Sequence, residues 1–317
     1  MNQSLTLSSE IRSLSSFRIV PITTMTSFFQ SGCASQPYES VRDHARFADT
    51  KSLIERIWQG YYPHEDPHCL ADAKQHFHAR TWEMYLWYVL HTNGFSPTKP
   101  SPTGPDYRIQ IDKKTVWVEA VAPGRGETED AVPRLQFLND MPKPIAQEVP
   151  EEAILLRFTH VLNSKRKKYE QFRSKNGAKN ADAFIIAING CLATDYRGDD
   201  SSIPDVIKAT IGIGPLTVLL DPAGQDAPHS YYQRRGLALK KTGKPVQTDL
   251  FLRDEYQVIS GVFYSPNDIC DVPEQLGAEM YYFHNPRAHN PLPFGLFKFC
   301  REYWFDLDRW KLEHKDW

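Results

Sequence analysis

An α/β fold with a central sheet flanked by helices is what this chain predicts, and three observations predict it. Long helix-patterned segments alternate with strand-patterned ones, which favours layers packed on one sheet. The run AFIIAINGC, residues 183–191, is a short continuous apolar stretch bounded by Asp182 and Gly190, the pattern of a buried strand. With 317 residues, 41% hydrophobic and 24% charged, the chain has the size and composition to bury a substantial core.

The elements follow in order. Residues 1–35 are rich in Ser and Thr without a continuous apolar stretch, so a loosely ordered leader is expected, followed by a single elaborated domain over 36–317. Residues 40–60 pattern as a helix, with Leu53, Ile54, Ile57 and Trp58 forming its apolar stripe. A second helix over 71–92 stops at Asn93-Gly94. Pro97, Pro100, Pro102 and Pro105 then forbid helix and lead into extended chain. Two strands, 107–111 and 115–122, are joined near Asp112-Lys113-Lys114 as a hairpin. Residues 124–152, rich in Gly, Pro and acids, read as a surface excursion before a helix over 157–175. Further strands are expected at 183–191, 216–220, 257–264 and 279–283. Residues 221–256 read as a polar, basic insertion, and the aromatic-rich run 294–317 as an amphipathic helix closing the core.

Charge and cysteine usage narrow the class. A formal charge of −2 gives no global attraction to polyanions, so any nucleic-acid contact must come from a local patch. The insertion supplies the best one, with Arg234, Arg235, Lys240, Lys241 and Lys244 beside Tyr231 and Tyr232. Five scattered cysteines without a CxxC pair indicate reduced thiols and a cytoplasmic setting. No apolar run approaches the roughly 18 residues needed to span a bilayer, so no membrane partner is expected. His64, His68, Cys69, His76 and His78 crowd one region, but their spacing fits no zinc pattern, and hydrogen-bonded or surface histidines are expected.

Three carboxylates carry the chemistry. Glu83 has Ala79, Leu86, Trp87 and Leu90 as same-side helix neighbours, so its burial needs a metal, an arginine or a hydrogen-bond network to compensate it. Asp106 follows Gly104-Pro105 at the mouth of the first strand. Glu119 lies in the otherwise apolar strand of Val116, Val118 and Ala120, on the face shared by Thr115, Trp117 and Val121. A short turn between the strands brings Asp106 and Glu119 to one end of the hairpin. On the following helix, Phe158, Leu162, Lys165, Tyr169 and Phe172 step by four, three, four and three, which places Lys165 within an inward stripe. The other reading of Lys165 to Lys168 (KRKK) is a solvated basic face.

Over roughly residues 71–191 this pattern resembles the PD-(D/E)XK, or restriction-endonuclease-like, nuclease superfamily. The resemblance rests on an acid on a helix (Glu83), Pro105-Asp106 entering one strand, and Glu119 on the next. It implies a central mixed sheet flanked by helices, and Mg²⁺ or Mn²⁺ held by Asp106 and Glu119 with Glu83 completing the shell. The implied activity is that of an Mg-dependent endonuclease, with DNA as the first expected partner and a homodimer left open. The superfamily's lysine two residues past the strand acid is replaced by Val121. Lys165 is the expected substitute, with Lys168 second and Arg157, Arg234 and Arg235 as further substrate contacts. The alternatives are a catalytically silent binding or structural module of the same fold, favoured by Val121, and an unrelated small-molecule enzyme.

Overall fold

The hairpin sequences YRIQI and KTVWVEAV set the middle of the molecule. In the computed structural model, which describes residues 26–64, 68–99, 104–134, 148–175, 177–195, 203–219 and 229–317, they form β1 (Tyr107–Ile111) and β2 (Lys114–Val121). The two pair antiparallel, from Tyr107 against Val118 to Ile111 against Lys114. Asp112 makes the tight turn at a φ of 52°, a left-handed conformation that aspartate tolerates better than most residues. After helix α5 (Glu151–Ser174), β3 (Ala183–Asn189) returns parallel to β2, with Glu119 opposite Ile186.

A polar segment then forms two small hairpins. They pair β4 (Ile213–Leu219) with β5 (His229–Arg234), and β6 (Leu237–Leu239) with β7 (Pro245–Gln247). The main sheet resumes with β8 (Gly261–Ser265), β9 (Tyr281–His284), β10 (Arg301–Asp306) and β11 (Lys311–Lys315). Its seven strands run β1-β2-β3-β8-β9-β10-β11, mixing parallel and antiparallel neighbours.

Alternation along the strands divides the core between two faces. Val116 and Val118 face the first helical layer: α1 (Gln36–Asp43), α2 (Ala48–Tyr61), α3 (Cys69–Gln75) and α4 (Phe77–Thr92). Trp117, Phe184, Ile186 and Ile188 face α5 and α6 (Asp205–Ile211). The result is a mixed α/β protein with helices on both faces of a large mixed sheet.

Several boundaries differ from the sequence reading. The leader lies outside the described residues as far as residue 25. From Thr26 the chain is anchored: Phe28 is fully buried, and Glu55 accepts hydrogen bonds from the backbone N–H groups of Phe28 and Phe29. The helix predicted over 71–92 is two helices, because His76 leaves helical geometry between α3 and α4. Much of the excursion, residues 135–147, is likewise outside the described residues. The C-terminal run is a β-hairpin, not an amphipathic helix. Asp306 Oδ1 accepts the backbone N–H groups of Asp308 and Arg309 and so fixes the turn between β10 and β11. Among the described residues, no helix is long and apolar enough to cross a membrane.

Candidate functional site

Strand parity aims Glu119 at α5, and it is buried with only 3% of its surface exposed. A carboxylate so placed must be compensated, and α5 does it. Lys165 Nζ lies 2.7 Å and Lys168 Nζ 2.9 Å from the same oxygen, Oε1 of Glu119. The helix is held in that position by its aromatic stripe. Tyr169 stacks on Phe184 of β3 at 3.9 Å between ring centroids, and Phe172 meets Trp117 of β2 edge-on at 5.1 Å. Burial opposes the charge on Lys168, but the adjacent Glu119 outweighs it and raises the pKa above the ordinary lysine value.

Asp106 continues the β1–β2 register by one residue past Tyr107–Val118 and so stands opposite Glu119. Its Oδ2 accepts the backbone N–H of Ala120 at 2.8 Å. Burial, with Glu119 and then Glu83 nearby, pushes the Asp106 carboxyl up to about 7, although Ala120 N–H and Lys165 pull the other way. The approach of the chain to this point is close. A Cβ on Gly104 would meet the Phe172 ring at 3.0 Å, so the smallest residue lets Pro105-Asp106 lie against α5.

Glu83 is buried on α4, as its apolar neighbours required, but its charge is met by protein groups. Tyr61 OH donates to Oε1 at 2.9 Å, Arg80 to Oε2 at 2.8 Å, and Lys99 lies 2.8 Å from Oε1. Of the compensations weighed from sequence, basic side chains and a hydrogen-bond network are the ones present. Glu83 bears on Asp106 through its charge, while its own oxygens are committed elsewhere. The three acids therefore do not close as a trio around one point. Asp106 and Glu119 form the pair, with Glu83 behind them.

The remaining predicted residues divide. Lys168 joins the pair. Arg157 donates from Nε to the carbonyl of Gly124 at 2.6 Å and lines a separate cleft of about 490 Å³ with His160, Lys240 and Tyr256. Arg234 stacks its guanidinium 4.1 Å over the Trp310 ring. Arg235 is bonded to Glu151 and lies 3.6 Å from Glu152, at the start of α5. Residue 151 is 14 positions from Lys165, roughly 20 Å along a helix. The basic insertion thus braces the far end of α5 and does not flank the acids.

Sequence reasoning missed one cluster. Among the described residues, His78, Cys191 and Asp268 bring one ligand atom each within 4.8 Å of one another, a set able to hold a metal ion. The three come from the start of α4, the turn after β3 and the loop after β8, so no local spacing announced them. Comparison of the chain with protein-family models, curated proteins and solved structures gives no match. The residues themselves define the class: a mixed α/β protein with a buried carboxylate–lysine centre at one end of its β1–β2 hairpin.

Proposed function

We propose that this centre hydrolyses phosphodiester bonds with the help of a divalent cation, and that DNA is the first substrate to test. The observation that carries the reading is the pair of lysines from α5 on Glu119, beside a second buried carboxylate. An acid pair with basic groups from the next helix suits a reaction in which negative charge grows on a phosphoryl group. The order α4, antiparallel β1–β2, α5 and parallel β3 also supports the restriction-endonuclease-like resemblance. An isolated bridge between Thr98 and Arg108 adds a rudimentary antiparallel neighbour on the outer side of β1.

The residues fit a hard cation. Both lysines use Glu119 Oε1, and Ala120 uses Asp106 Oδ2, so Glu119 Oε2 and Asp106 Oδ1 accept no hydrogen bond among the described residues. Asp106, whose proton affinity is raised by burial and by the neighbouring Glu119, is stabilised as a carboxylate by an added positive charge, and oxygen donors select Mg²⁺ or Mn²⁺. When bound, such an ion polarises the phosphoryl oxygens and makes water more acidic. The chain's own contribution is positional. Ala120 N–H orients Asp106, α5 holds the Lys165 ammonium where it offsets developing charge, and the half-exposed Lys168 reaches for a flanking phosphate. Lys165 thereby takes the place that Val121 leaves vacant on the strand.

A silent module is the second reading, and the same ion pairs favour it: Glu119 and Glu83 are each already matched by two cations. A cleavage assay separates the two. With Mg²⁺ or Mn²⁺ and single- or double-stranded DNA, the wild type is expected to cut, and Glu119→Gln and Lys165→Met to lose about 100-fold or more, the scale of removing one charge-stabilising donor. Unchanged cleavage by both variants removes the site, and no cleavage by the wild type on DNA or RNA supports the silent module.

A further inference from the structure

We infer that His78, Cys191 and Asp268 form a zinc site that ties the first helical layer to the sheet. This site is separate from the carboxylate–lysine centre. His78 Nδ1 lies 2.9 Å from Asp268 Oδ2, and Cys191 Sγ lies 3.9 Å from the same oxygen. Zinc–ligand lengths near 2.0–2.3 Å in a tetrahedron give ligand–ligand edges of roughly 3.3–3.6 Å. The two observed separations bracket that range, so shifts of about 0.5 Å seat an ion. One imidazole, one thiolate and one carboxylate suit a borderline-soft ion such as Zn²⁺ better than Mg²⁺ or Ca²⁺, which take oxygen.

The surroundings match such a role. Asp268 Oδ1 accepts the backbone N–H of Cys270 at 2.9 Å, which orients the carboxylate and leaves Oδ2 toward His78 and Cys191. The backbone N–H of Cys191 donates to Asn189 Oδ1, and Asn189 Nδ2 donates to the carbonyl of Asn267, so the loops after β3 and β8 are already joined. Oriented partners behind the ligands are what metal sites use to fix geometry. His78 and Cys191 also line a small, partly open pocket of about 10 Å³ together with Asn189, Ser265 and Asn267. That is room for about one water or one ion. The fourth coordination position falls to a single water.

Three segments far apart in the chain meet here: α4 opens at Phe77, and β3 and β8 end side by side at Asn189 and Ser265. An ion at this point fastens α4 to the C-terminal ends of two parallel strands.

The test uses the full chain, stripped with chelator and titrated with Zn²⁺ and, separately, Co²⁺. One Zn²⁺ per chain is expected, together with a rise in melting temperature that follows zinc concentration. The Co²⁺ form is expected to show thiolate-to-cobalt charge-transfer absorption. Cys191→Ser should abolish that band, and Cys191→Ser, His78→Gln and Asp268→Asn should each weaken zinc binding on the order of 100-fold or more, beyond what outer-shell changes cost. Cys33→Ser should leave both unchanged. Absence of the band in wild-type Co²⁺ protein overturns the assignment even where a variant fails to fold. Stoichiometric zinc retained by all three variants overturns it too. Glu119→Gln should bind zinc like the wild type, so failure here and failure of the proposed hydrolysis are read separately.

Discussion

Two residues define what the centre can do. Lys165 was legible as the basic member of an inward helical stripe, and the structure places its ammonium on Glu119. Glu119 itself was legible because strand parity put a charge among apolar neighbours. Glu83 shows where such reading stops: sequence marks a buried acid, but whether a metal or an arginine compensates it depends on Arg80 and Lys99 folding back toward it. Asp106 gives a pH prediction. Its folded pKa of about 7 lies above the ordinary carboxylate value, so the folded metal-free protein holds a proton that the unfolded chain releases. Its contribution to stability therefore falls as pH rises from about 4 to about 7 and is constant above. Replacing the charge by Asp106→Asn should stabilise metal-free protein at pH 8 by up to about 4 kcal/mol and change it little at pH 4. Thermal unfolding at the two pH values checks this, and equal effects at both contradict it.

At the scale of elements, the strands and helices around the centre were recovered from period and from turn residues. The misses have physical causes. The pause at His76 separates two helices whose apolar patterns run on without interruption, so periodicity alone joins them. The C-terminal segment is dense in aromatics, which fit a helix stripe as well as a strand. Burial of Tyr303 and Phe305, two apart on β10, resolves it as strand. Glu302 on that strand accepts the N–H groups of Gly295 at 2.7 Å and Phe297 at 3.3 Å, with His284 Nε2 3.7 Å away. Burial pushes its carboxyl up, but His284 and the two N–H groups outweigh it and hold it below the ordinary value. This stabilisation is present above the unfolded carboxylate pKa and is lost as pH falls through the folded one. Glu302→Gln should cost about 1–3 kcal/mol at pH 7, with the gap to wild type closing on acidification. A gap independent of pH contradicts it. The seat of Asp106 on α5 gives a second expectation. Gly104→Val should destabilise by about 1–3 kcal/mol through Phe172, and the loss should shrink when Phe172→Leu is present. Additive losses in the double-mutant cycle contradict that contact.

For the whole molecule, the α/β class followed from the sequence because a continuous apolar strand and flanking helices leave few layer arrangements. The strand order did not follow. Nothing local tells β3 to pair with β8 across the intervening small sheets, or the chain end to add two strands at the far edge. The same distance hid His78, Cys191 and Asp268, whose meeting depends on that order. It also misplaced the basic insertion, which looked like a substrate patch and instead packs against the start of α5 and Trp310. We thus propose two places for a cation with opposed chemistry, one of hard oxygen donors at β1–β2 and one with a thiolate at β3–β8.

The most direct test of the account is Mn²⁺ binding to chelator-treated protein, followed by electron paramagnetic resonance at pH 8 in wild type, Asp106→Asn, Glu119→Gln and Cys191→Ser. The account predicts a saturable site in the wild type and in Cys191→Ser that is weakened about tenfold or more in Asp106→Asn and Glu119→Gln. Equal Mn²⁺ binding in wild type, Asp106→Asn and Glu119→Gln, or no saturable binding in the wild type, would contradict it.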